Sequence, residues 1–207
     1  MAQVIQEYIN HPIYFIVLVA AVILTLFVCY KAGKASAKRN KEMNEIMSKL
    51  KEINKLRNKY AILTENLVNN SDSEELFKGV GLNLQKRVSD KTDMLQEFET
   101  LTTAEKYTYS FYAFYEDAEK GASEFFRANG QPITGLAKEI ANKICDADFT
   151  DSFNKLYDMY DEDNETVSFS NEVIAECNEK MAPFIENGTI CKNMGDFIKD
   201  TINEFIR

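Results

Sequence analysis

The sequence of 207 residues predicts an all-α protein in three parts. These are an N-terminal single transmembrane helix, a helical neck able to form a coiled coil, and an acidic domain of about six to seven helices. Three observations carry that reading. Pro12 to Tyr30 holds no charged residue, Met43 to Leu67 repeats apolar residues at heptad spacing, and the chain after residue 71 alternates helix-capping signals with apolar faces of helical period. No stretch sustains the two-residue alternation of β-branched residues that a sheet needs. Charge divides the chain in the same way. Residues 1–70 hold ten Lys/Arg against five Asp/Glu, whereas residues 71–207 hold 14 against 28, a net charge of −14.

The first element, PIYFIVLVAAVILTLFVCY over 12–30, has the length of a bilayer's hydrocarbon core at 1.5 Å per helical residue. Tyr14 and Tyr30 lie near its ends, where interfacial aromatics are expected. The tail 1–11 before it contains Glu7 and no Lys or Arg. The residues after it include Lys31, Lys34, Lys38, Arg39 and Lys41. A signal peptide has the opposite polarity, with its positive charge in front. The positive-inside rule therefore predicts a cell-membrane protein, with residues 1–11 outside and the C-terminal domain cytoplasmic.

The neck, 31–69, holds no Gly or Pro between Lys38 and Leu67. Its apolar residues Met43, Ile46, Leu50, Ile53, Leu56, Tyr60, Leu63 and Leu67 form an a/d seam with one three-residue stammer at Ile53–Leu56. Such a seam needs a partner, either a second copy along 43–67 or the domain that follows.

The acidic domain, 71–207, opens with Ser71-Asp-Ser-Glu74, which has the form of a capping box for a helix to about Val88. A short piece around Met94–Phe98 follows. Thr102-Thr-Ala-Glu105 is a second capping box, and Phe111, Tyr115, Ala118, Ala122 and Phe125 extend its apolar face, predicting one long helix with Gly121 inside it at a close packing point. Asn129-Gly130 has the composition of a left-handed helix stop, with Pro132 beyond. Further helices are expected near 134–145, 150–160 and 170–182, and from about 194 to the end.

Little in the composition suggests catalysis. His11, the single histidine, stands at the edge of the apolar run, so Ser-His, Cys-His and His-based zinc machinery are excluded. Cys29, Cys145, Cys177 and Cys191 have no metal-like spacing and read as small apolar residues of a reduced protein. With Asp161 as position 1 of an EF-hand loop, Asp163, Glu165 and Glu172 fall at ligand positions. Position 6 is then Thr166 where the turn requires glycine, so the segment imitates a calcium loop without its turn. No cofactor is expected. Glu116, Asp117 and Glu119 cluster at the end of the long helix, and Asp161, Glu162 and Asp163 form a second acidic group. Both groups read as solvated faces able to attract a basic partner rather than as acid/base pairs.

Leu101, Thr102, Glu105, Lys106 and Tyr109, followed by Asp117, Gly121, Phe126 and Asn129 in one ungapped frame, resemble the signature region of the bacterial DNA-mimic protein family. The family's N-G-G-F core stands here as Lys120-Gly121-Ala122-Ser123. The resemblance implies a helical acidic domain whose carboxylates take the place of DNA phosphates on a DNA-binding protein, with no direct contact to nucleic acid. The expected function is that of a membrane-anchored, non-catalytic interaction module binding a basic protein. A scaffold acting through its coiled-coil neck and a calcium-responsive domain are the alternatives.

Overall fold

The computed structural model describes residues 12–160 and 170–206, and every regular element among them is a helix. The chain divides into two units between Ile53 and Asn54. The tail 1–11 and the acidic stretch 161–169 lie outside the described residues, and with them His11, Asp161, Glu162, Asp163 and Glu165.

Helix α1 runs from Pro12 to Lys59. Proline suits its first position because the missing N–H would have no helical acceptor there. The charged half is rich in good helix formers. It also carries the exposed pairs Lys38–Glu42 and Lys41–Glu45, at 3.8 and 4.0 Å, which add a few tenths of a kcal/mol each. Met43, Ile46, Met47, Leu50 and Ile53 are all exposed, between 41% and 53%.

The expected transmembrane span over 12–30 is overturned: among the described residues no helix is long and apolar enough to cross a membrane. The apolar run is not a separate element but the opening of a 48-residue helix that continues into charged sequence. The outside placement of the N-terminus and the cytoplasmic placement of the domain rested on that span.

The second unit begins within the last two turns of α1. Leu56 packs against the core, Tyr60 is 1% exposed, and Leu63 and Leu67 are half-buried against the same core. The neck seam is thus two surfaces. Up to Ile53 it faces outward, and from Leu56 it belongs to the domain, with the change falling on the stammer. Lys59 Nζ lies 2.8 Å from Glu75 Oε2, and Asn83 Nδ2 donates to the Arg57 carbonyl at 2.9 Å, so polar contacts hold this turn in place too.

The domain's helices are α2 (Glu65–Asn69), α3 (Ser73–Ser89), α4 (Met94–Glu99), α5 (Thr103–Ala118), α6 (Ala122–Ala128), α7 (Ile133–Ile144), α8 (Ala147–Tyr160), α9 (Asn171–Glu186) and α10 (Thr189–Asp200). A 3-10 turn, Ile202–Glu204, follows. Helix α3 lies between α10 and α5, α5 packs on α6 and α7, and α8 bridges α7 and α9. The closest approach is at Gly195 of α10, where a Cβ would come 1.9 Å from the Ser73 carbonyl oxygen. Only glycine lets the two backbones meet there.

Local chemistry sets the helix starts. Thr102 Oγ1 accepts from the Glu105 amide at 3.2 Å, while Glu105 accepts from the Thr102 amide at 2.8 Å, completing the expected capping box. At α3 the cap is Asp72, which accepts from the Glu75 amide at 3.0 Å. The expected Ser71 instead donates to the Leu67 carbonyl, at 2.6 Å, and ties α2 to the start of α3.

The core is aromatic. Phe114, Phe125, Phe149 and Phe153 are fully buried, and Phe153 lies 5.1 Å from Phe114 and 5.0 Å from Phe126 between ring centres. These edge-on arrangements set the negative face of one ring against the positive rim of the next. They join α5, α6 and α8 into one packed layer.

Candidate functional site

The long helix expected over 102–128 is broken in two. Helix α5 ends at Ala118, and Gly121 takes φ = +123° before α6 begins at Ala122. Side chains other than glycine rarely adopt that conformation. Packing does not explain the glycine, since a Cβ there would meet only Asn178, at an ordinary 3.4 Å. Asn129 and Gly130 do not form the expected left-handed stop: Asn129 is extended at φ −123°, and the positive-φ glycines are Gly121 and Gly188 among the described residues. Instead Asn129 Nδ2 donates to Asp117 Oδ2 at 2.8 Å and to the Phe125 carbonyl at 2.9 Å. A side-chain contact closes this corner.

The break at Gly121 opens a cleft of about 680 Å³ between the end of α5, the start of α6 and one face of α9. Tyr115, Ala118, Ala122, Ala182 and Ile185 supply apolar walls. Three exposed carboxylates, Glu119, Glu179 and Glu186, rim it. Asn178 fastens the two sides together, its Oδ1 accepting from the Ser123 amide at 2.9 Å and its Nδ2 donating to Ser123 Oγ at 3.1 Å. Pro183 lies inside α9 and has no N–H, so it cannot donate to the Glu179 carbonyl one turn back. The lining is therefore rich in acceptors and negative charge over an apolar floor. A lysine or arginine side chain, with an aliphatic stem and a cationic head, matches both.

The expected site residues are dispersed. Glu119 lies on the cleft. Glu116, one turn earlier, accepts from Gln85 Nε2 at 2.6 Å and so helps join α3 to α5. Burial, with the Glu116 charge beside it, pushes the Tyr112 hydroxyl well above the usual tyrosine range. Asp117 is the partner of Asn129. Asp161, Glu162 and Asp163 are outside the described residues. Of the calcium-like set, only Glu172 is described, exposed in the first turn of α9, and among the described residues no group of three or more His, Cys, Asp or Glu could hold a metal ion.

Sequence reasoning missed Glu179 and Glu186. They stand one heptad apart, so they share a face of α9, and that spacing was legible. What could not be read was that this face lies across from the break at Gly121, because the break itself was unrecognised. Compared with models of known families, with curated proteins and with solved structures, the chain finds no match.

Proposed function

We propose that the helical domain is a non-catalytic interaction module that binds a basic protein segment at the cleft between α5, α6 and α9. The observation that carries this reading is the combination of three carboxylates with an apolar floor, which suits a cationic side chain better than a small neutral ligand. The charge of the whole unit supports it. Residues 54–207 hold 17 Lys/Arg against 29 Asp/Glu, a field that steers basic partners inward. The resemblance to DNA-mimic proteins supplies its sharper form, in which carboxylates of the domain, Glu116, Asp117 and Glu119 among them, occupy the place of phosphates on a DNA-binding protein.

Titrating the full chain with an amphipathic lysine–leucine peptide tests the reading. Binding should weaken at least tenfold between about 50 and 500 mM salt and when Glu119, Glu179 and Glu186 are all changed to Gln. Binding indifferent to both changes would remove it. A second reading, a scaffold built by pairing of α1 helices, draws on the exposed row Met43, Ile46, Leu50 and Ile53.

A further inference from the structure

We infer that the occupant of the cleft is the basic segment 38–53 of a second copy of this chain, so that the protein self-associates through α1 of one copy and the cleft of another. The inference rests on the cleft being a site for a basic segment, and it adds which segment.

The argument starts from α1. Met43, Ile46, Met47, Leu50 and Ile53 fall within one stripe about 120° wide, the i, i+3, i+4, i+7 pattern by which an amphipathic helix enters a groove. Lys49 and Lys51 flank Leu50 at roughly 100° on either side. All these apolar side chains are exposed, and a stripe of this kind calls for a partner.

Charge decides between the two partners that a second copy offers. Residues 38–53 hold five Lys/Arg against three Glu, and two of those Glu are paired within the helix with Lys38 and Lys41. Two such helices side by side bring like charges within a Debye length of about 8 Å, where salt does not remove the repulsion. The positions beside the seam do not correct this, since Glu42 would meet Met47 and Lys49 would meet Asn54 in a parallel pair, leaving no opposite charges matched. The cleft has the complementary composition: Tyr115, Ala182 and Ile185 for the stripe, and Glu119, Glu179 and Glu186 for the flanking lysines. Glu179 and Glu186 repeat at seven residues, as do Met43 and Leu50. A helix laid along α9 therefore meets the same repeat it carries. Each copy offers one helix and one cleft, so every contact sets the helix of one copy against the cleft of another.

Sedimentation equilibrium of the full chain tests this, in a non-ionic detergent that covers the exposed apolar residues of 13–27. Self-association should weaken at least tenfold from about 50 to 500 mM salt. Reversing the cleft (E119K, E179K and E186K together) or the flanks of the stripe (K49E with K51E) should leave each variant monomeric, with unchanged circular dichroism. Mixing the two variants should restore a hetero-dimer, because each then offers the charge the other lacks. Association untouched by the cleft variant would overturn the inference in favour of paired α1 helices, and a chain monomeric under every condition would overturn it outright. The lysine–leucine peptide separates the two claims. If the peptide binds and the chain stays monomeric, the basic-segment site survives and this inference fails; if neither occurs, both fail.

Discussion

At the residue scale, Gly121 shows how one backbone angle creates the cleft. Its φ of +123° ends α5, restarts the chain as α6 and leaves the space that Glu119 and Asn178 border. Changing Gly121 to Ala should cost about 1–2 kcal/mol in urea unfolding, because the added Cβ opposes that conformation rather than a neighbour. Gly130 is the control. Nothing lies within 4 Å of a Cβ there and its φ is not positive, so Gly130→Ala should be neutral or stabilise by a few tenths of a kcal/mol. Cys191, which is buried, and Cys145, which is half-buried, make a second residue-scale prediction. Burial pushes the Cys191 thiol up to about 12, against a smaller lowering by Lys78, and burial pushes Cys145 up to about 12 as well. Thiolate is the reactive form. Iodoacetamide at pH 8 should therefore leave both unmodified in the native protein and label them after unfolding, as read by mass spectrometry.

At the element scale, Arg87 fastens three helices. Its Nε donates to Glu97 Oε1 of α4 at 2.7 Å, its Nη2 donates to Thr100 Oγ1 at 3.0 Å, and its Nη1 lies 3.3 Å from Glu105 of α5. Glu105 is 7% exposed at its side chain and caps its own helix, so it is the group least able to lose a cation. Arg87→Met should cost about 2 kcal/mol, less than for a fully buried pair because the guanidinium is partly exposed. Lys180→Met, in an exposed pair with Glu176, should leave the unfolding midpoint unchanged. Arg87 also holds the Glu97 carboxyl below the usual glutamate range by its hydrogen bond, an effect larger than the opposing desolvation. A lowered carboxylate pKa adds stability above the unfolded value and loses it as pH falls through the folded one. The cost of Arg87→Met should accordingly be full at pH 7 and shrink below about pH 4, as the glutamate protonates in both proteins.

The heptad seam belongs to this scale too, and its legibility was partial. Its period was visible from Met43 to Leu67, and so was the stammer at Ile53–Leu56. The stammer's meaning depended on partners far along the chain. Tyr60 is buried against α3, where its ring occupies the space over Gly79, while Ile53 remains 41% exposed. A repeat shows that a side is apolar and does not show what covers it. The capping boxes divide for a related reason. Thr102 and Glu105 form theirs as expected, but at α3 two candidates compete within three residues and Asp72 takes the role from Ser71.

For the whole molecule, the boundary at Ile53/Asn54 predicts where the chain can be cut. A fragment beginning at Asn54 should retain the thermal midpoint of the full chain's domain by circular dichroism. One beginning at Ala61 loses Tyr60 and should be destabilised by about 3–5 kcal/mol, as for deletion of a large buried aromatic side chain. Equal midpoints for the two fragments would contradict the packing of the last turn of α1. The acidic field is a property of the same scale. It follows from 29 carboxylates against 17 cations in 54–207, and no single residue accounts for it.

The sequence by itself determined the helical class, the separation of basic and acidic halves, the capping box at Thr102 and the apolar seam of the neck. Each depends on period, composition or contacts within one turn. Tertiary structure alone decided that the seam changes owner at its stammer, that the helix through Gly121 is two helices, and that α9 brings Glu179 and Glu186 to Glu119. The expected span is corrected as well: among the described residues no helix is long and apolar enough to cross a membrane. The reason is common to the first three. A helical pattern records which face of a segment avoids water, but what fills that face, and where the backbone must turn to let it, is set by residues 20 to 120 positions away.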